Sequence, residues 1–283
     1  MGQEADAHQQ REEYDTGHSS WYASANRLAT VESRMPGIDI FALPSFRVGP
    51  YVTQIVPGEP HEFKRRGAQL QYVHGHEPAR IAAWVPPGRQ LELLVRLIVS
   101  LIHYRSGINN KSNEESLTHS VATGLAELAQ NSPEFWVQFN AMMGDHFGRR
   151  GWGLRAAGQG ATPVQPARVV AGDEAFRFVR IKETATYWAW CNFNERRIEI
   201  VETLRGANLC VIVMHECLHL IHWAAGIDKV KVAGTREFMR KQPAALLRFW
   251  RDNPRFWAWW LHTLATAQAA PTVAPAWPER GRA

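Results

Sequence analysis

Cysteine is scarce in this chain: Cys191, Cys210 and Cys217 are the three among 283 residues. An odd count with no Cys-x-x-C pair reads against a disulfide framework and suggests a reducing compartment. Long apolar runs are missing too. No stretch of about eighteen uninterrupted apolar residues occurs, so no membrane span is expected. The first residues are polar and lack the apolar core of a secretory signal. Gly2 is not followed by Ser or Thr at position 6, which reads against myristoylation. Charge of either sign is modest: 21% of residues are charged and the formal net charge is +5. Lys64-Arg65-Arg66 and Arg149-Arg150 are the tight basic clusters, and no nucleic-acid-binding signature accompanies them. Solvated surface is the first reading of this excess, and acidic partners are the second.

Tryptophan, by contrast, is plentiful. Twelve are present, with Trp250, Trp257, Trp259 and Trp260 crowded near the C-terminus. They imply a large aromatic core or an oligomer contact. Hydrophobic residues make up 45% of the chain, as in an ordinary globular protein.

Punctuation divides the chain into five stretches. Residues 1–36 read as a polar N-terminal arm. Residues 37–147 form a first unit. It has short strands at Tyr51–Val56, Gln69–Val73 and Arg80–Val85, then an apolar helix over Leu91–His103. A helical stretch over Glu115–Met143 follows, broken near Pro133. Residues 148–175, rich in Gly, Arg and Pro, read as a linker. Residues 176–268 form a second unit, with strands at Phe176–Ile181, Thr186–Phe193 and Arg197–Val201 ahead of helices. Residues 269–283 read as an Ala/Pro tail.

The chemistry concentrates in Val211–Ile227, which contains H-E-x-x-H as His215, Glu216 and His219. Residues four apart share one face of a helix, so both imidazoles can grip one Zn²⁺. Glu216 lies beside them, where it can take a proton from metal-bound water. The flanks are apolar, and Gly226 is a plausible helix stop. Burying two histidines and a glutamate without partners would be costly, which favours a metal over a merely hydrogen-bonded core helix.

The two units also resemble each other. Leu101-Ile102-His103-Tyr104-Arg105-Ser106-Gly107-Ile108 aligns with Leu220-Ile221-His222-Trp223-Ala224-Ala225-Gly226-Ile227. Asn131-Ser132-Pro133-Glu134-Phe135-Trp136 aligns with Asp252-Asn253-Pro254-Arg255-Phe256-Trp257. An internal duplication is therefore expected, each copy a small β-hairpin or sheet followed by two packed helices. The fold class is α+β. At the ligand positions the first copy carries Arg96, Leu97 and Ser100, so it is metal-free and degenerate.

The overlay bears on the third ligand. His222 has a counterpart, His103, where the ligands are gone, so a structural role suits it. Glu237, eighteen residues after His219 on the next helix, is the preferred third ligand. Its counterpart is Ser116, with Glu114-Glu115 next to that slot. His222, Asp228 and His262 are the alternatives. Helical geometry points Cys217 away from the two histidines, into the core.

On these residues the second unit resembles the zincin-like metallopeptidases, gluzincin-type in ligand order. It looks most like small phage- and prophage-encoded proteins of metallopeptidase type. In those, a hairpin precedes an H-E-x-x-H helix ending near an aromatic and a Gly, and a later helix carries Asn-Pro. The matching residues are His215, Glu216, His219, His222, Trp223, Gly226, Asn253 and Pro254. The likeness covers residues 176–265, and 50–143 weakly. The second helix departs from the pattern, reading Thr235-Arg236-Glu237 where acidic residues are expected.

The resemblance implies a zinc-dependent hydrolase acting on a protein or peptide substrate, with Glu216 as general base. It would work in the host cytoplasm or the virion. The alternative is a structural component of a phage particle, a homo-oligomer or another large assembly that keeps the fold without activity.

Overall fold

The structure is a computed structural model. It describes residues 39–64, 67–72, 78–108, 114–146, 163–182, 187–227 and 236–267. The polar arm, the Ala/Pro tail, Asp228 and most of the expected linker lie outside the described residues.

The chain is α+β, as its patterning implies. In the first half, β1 (Phe46–Val48) and β2 (Tyr51–Thr53) form an antiparallel hairpin. Next, β3 (Ile55–Gly58) runs parallel to β5 (Ala79–Ala82), with β4 (Leu70–Gln71) antiparallel on the other side of β5. Three helices follow: α1 (Pro87–Arg105), α2 (Glu114–Asn131) and α3 (Pro133–His146).

The second half has a four-stranded sheet, ordered β6-β7-β9-β8. Its strands are β6 (Arg168–Ala171), β7 (Glu174–Ile181), β8 (Ala189–Asn192) and β9 (Arg197–Val201). The central β7 and β9 are parallel, and the outer pairs are antiparallel. Helices α4 (Gly206–Ala224), α5 (Arg236–Asp252) and α6 (Pro254–Thr266) come next. Strand β6 lies inside residues 148–175, which composition reads as linker. Its four residues are too few for a period to register, and Gly172 at φ +64° turns the chain into β7.

The repeated sequence motifs have physical reasons. Gly107 and Gly226 stand at φ +66° and +63°, just past α1 and α4. Beyond each, an isoleucine N–H reaches back: Ile108 to the His103 carbonyl and Ile227 to that of His222. This is the Schellman cap, which needs a residue that tolerates a left-handed backbone. Pro133 and Pro254 begin α3 and α6, where the missing N–H costs nothing. The residue before each proline serves a strand. Ser132 Oγ accepts from the Arg47 N–H at 2.8 Å, and Asn253 Oδ1 from the Val170 N–H at 2.6 Å.

The helices exchange partners between halves. α1 packs on α5, and α2 packs on α4. α4 is apolar on every side and its residues 209–222 are buried. It alone among the described helices is long and apolar enough to cross a membrane, yet 78% of that window is buried inside the fold. Protein contacts therefore account for its hydropathy.

Tryptophans build the far side of this core. Trp250 stacks on Trp257, with centroids 3.7 Å apart and planes at 6°, and on Trp136 at 4.9 Å. Its indole N–H donates to Asn140 Oδ1 at 3.0 Å, as a buried indole requires. The C-terminal tryptophan cluster thus belongs to the interior. Trp250→Ala is expected to lower unfolding free energy by about 3–5 kcal/mol, measured by urea denaturation; a loss well under 1 kcal/mol would contradict this packing.

His103 is a core histidine. It is buried on α1, its ring is 6.2 Å from that of Phe238, and its Nε2 has no hydrogen-bond partner among the described residues. Burial, aided by repulsion from His222, pushes its pKa down to about 3. A histidine depressed in the fold contributes stability that is present above pH 6.5 and lost as pH falls toward 3. Each pH unit below 6.5 costs about 1.4 kcal/mol. Between pH 7.5 and 5.0 the wild type should therefore lose about 2 kcal/mol more than His103→Leu. Equal losses in denaturant titrations at the two pH values would refute this.

Candidate metal centre

The centre forms where the middle of α4 meets the first turn of α2. His215 and His219 sit one helical turn apart, so their rings project from one face. Their Nε2 atoms lie 3.0 Å apart. Glu115, from α2, closes the triangle: its Oε1 is 3.0 Å from His215 Nε2 and its Oε2 3.4 Å from His219 Nε2. Ligand atoms about 2.0–2.1 Å from a tetrahedral ion stand roughly 3.3 Å apart. The three side chains thus hold their donor atoms at metal-ligand spacing, and this cluster can hold a metal ion.

Glu114 fixes the ligands from behind. Its Oε1 accepts from His219 Nδ1 at 3.1 Å, from His222 Nδ1 at 2.7 Å and from the Thr118 hydroxyl at 2.9 Å. A histidine that donates through Nδ1 to a carboxylate presents its Nε2 lone pair to a metal, which is how outer-shell carboxylates orient such ligands. Burial opposes the charge on His219, but its hydrogen bonds to Glu114 and Glu115, with the charges of Glu114 and Glu216, outweigh it. Its pKa is raised to about 10. Glu114 and Glu115 move the other way. Burial disfavours their charge, but the histidines hold both carboxyls well below the usual range.

Glu216 is fully buried, and neither carboxylate oxygen has a hydrogen-bond partner among the described residues. An isolated buried carboxylate is expensive, so its position one residue after His215 points to a polar partner within the centre. A bound ion with its water would be such a partner, and the residues present fit a metal on this ground.

Exposure is graded. His215 and Glu216 are buried, the His219 side chain is 9% exposed and that of Glu115 is 36% exposed. The centre therefore opens to solvent beside the start of α2. His119, one turn after Glu115, flanks this opening with its ring 6.2 Å from that of His215. Burial and the charge of His215 lower its pKa against the opposing pull of Glu115.

His222 is structural. Its Nδ1 meets Glu114, and its Nε2 lies 3.1 Å from the Gln242 amide nitrogen. Burial lowers its pKa, against the pull of Glu114. A neutral imidazole donating at Nδ1 and accepting at Nε2 satisfies both contacts. Glu237 lies in the first turn of α5, and its side chain is outside the described residues, as is Asp228. His262, on α6, joins none of the groups described around His215 and His219. Cys217 is core, and burial raises its thiol pKa well above the usual value.

Motif reading found the two histidines and Glu216. It missed Glu114 and Glu115 as partners because they come from the half that lacks the motif. The available signal was the overlay, in which this acidic pair sits beside the slot matched to Glu237. No family model, no curated protein and no solved structure matches the chain.

Proposed function

We propose that the protein is a zinc-dependent metallopeptidase-like hydrolase acting on a protein or peptide. His215, His219 and a carboxylate hold the ion, with Glu115 the described candidate for that third place. The observation that carries the reading is the convergence of two imidazole Nε2 atoms and the Glu115 carboxylate beside the buried, unpartnered Glu216. Bound zinc would supply a water of pKa near 7 and polarise the scissile carbonyl. Glu216 would take the proton from that water and deliver it to the leaving amine. Glu114 keeps His219 in the correct tautomer. His119 stands at the mouth, where a substrate would enter.

The fold is read as an internal duplication with a zincin-like second copy, of the phage-encoded type. Matched caps at Gly107 and Gly226, and matched strand contacts from Ser132 and Asn253, support that reading. A second function has an observation in its favour. The clustered carboxylate and imidazoles come from different halves, so an ion there would staple α2 to α4. That suits a scaffold within a phage particle or other large assembly, with zinc serving only stability.

Metal analysis, combined with a casein or peptide-library assay, tests both. Glu216→Gln should retain zinc and lose cleavage. Glu114→Gln should weaken zinc about 10–100-fold, and Glu115→Gln should weaken it more. Full zinc affinity in Glu115→Gln, with loss in Glu237→Gln, would move the third ligand to α5. Zinc-dependent stability without Glu216-dependent cleavage would favour the scaffold.

Metal binding should also be coupled to protons. With its pKa near 10, His219 is charged at pH 8 in the metal-free fold, and it must become neutral to ligate. Adding zinc at pH 8 should release about two protons, one from His219 and nearly one from zinc-bound water of pKa near 7, and affinity should fall as pH falls. An unperturbed histidine would be neutral already at pH 8. Calorimetry in buffers of different ionisation enthalpy reads this directly, and release of only about one proton at pH 8, the share of the bound water, would refute the charged state of His219.

A further inference from the structure

A depression of about 440 Å³ lies on the exposed face of the second sheet, lined by Arg168, Ala175, Arg177, Glu195 and Arg196. It is built on strands, whereas the metal centre is built on helices. Strand register assembles it. Arg168 stands opposite Arg177, and Arg177 opposite Arg197, so three guanidinium chains leave one face of β6, β7 and β9 at strand spacing. Like charges directly opposite destabilise a sheet.

Two of the neighbouring cations are neutralised. Arg197 lies 2.5 Å from Glu195 and 2.6 Å from Glu199, and Arg196 lies 2.7 Å from Glu174. Arg168 and Arg177 are exposed, and their side chains make no ion pair or hydrogen bond with a described residue. They leave two positive charges side by side. Arg196 adds a further oddity. It stands at φ +50°, a left-handed backbone that favours glycine or asparagine, so a long cationic side chain is kept on the rim at a strained turn.

We propose that this depression binds the doubly charged oxyanion of a phosphate monoester, clamped between Arg168 and Arg177. The charge matches, because a phosphate monoester carries nearly two negative charges at neutral pH. The chemistry matches, because the planar guanidinium fork pairs two donors with phosphate oxygens. The depression is open to solvent, so an oxyanion can reach both guanidinium groups from outside. Ala175, with no side chain beyond Cβ, leaves room for the organic substituent.

The test uses the full chain, with inorganic phosphate, phosphoserine and sodium chloride at equal ionic strength and pH 7.5. Both phosphates should raise the thermal midpoint of the wild type in a saturable manner, since a ligand of the native state stabilises it. Calorimetry should show phosphoserine binding more tightly than inorganic phosphate. Arg168→Gln and Arg177→Gln should each lose at least tenfold in affinity. In chloride alone, Arg177→Gln should melt no lower than wild type, because it relieves repulsion. Arg177→Lys keeps the charge without the fork and should bind in between. A phosphate response equal to that of chloride, or one surviving both Gln variants, overturns the proposal. Equal binding of phosphoserine and inorganic phosphate overturns the assignment to an ester.

Discussion

The pairing of two acidic residues at the head of α2 with two histidines in the middle of α4 is the constraint that the rest of this structure satisfies. α4 is apolar on every face, so folding draws it fully into the interior. It takes His215, Glu216, His219 and His222 with it. Polar groups taken out of water need partners, and a lone buried charge costs far more than its removal from water can return. Glu114 and Glu115 meet that need for the three histidines from across the interface. Their place in the first turn of α2 helps, because the positive end of a helix dipole favours carboxylates there. The same place leaves them partly in solvent, which gives the centre its opening.

Packing sets how accurately α2 delivers those carboxylates. A Cβ on Gly124 would stand 2.4 Å from Ile102 Cγ2, so α2 approaches α1 too closely for any other residue without displacing a core side chain. α1 in turn packs on α5, which presents Gln242 to His222. The arrangement around His219 is therefore held from both sides. His222 links Glu114 to Gln242, so α2, α4 and α5 are joined through one imidazole.

Local features were the legible part of the sequence. The H-E-x-x-H spacing placed His215 and His219 on one face, and the helix stop at Gly226 followed from its type and position. Prolines 133 and 254 marked the breaks between helices. The illegible part is what only register or exchange creates. β6 is too short for a pattern, so it was absorbed into a linker. The exposed arginine row is not a run in the chain: Arg168, Arg177 and Arg197 become neighbours only when β6, β7 and β9 align. Glu115 could not be chosen over Glu237 by counting residues, because distance along the chain says nothing about which helix packs on which.

The exchange of helix partners gives a reason for a first half without a motif. On the duplication reading, two composite sites existed in principle: α4 with α2, and α1 with α5. At the matched positions α1 carries Arg96, Leu97 and Ser100, which hold no metal, and its histidine, His103, sits neutral in the core. The metal centre takes nothing from α1 at those positions, because it draws on α2. The acidic pair in α2 is tied to His215 and His219, although it belongs to the half without the motif. The first half thus contributes the described carboxylates that contact the two imidazoles directly.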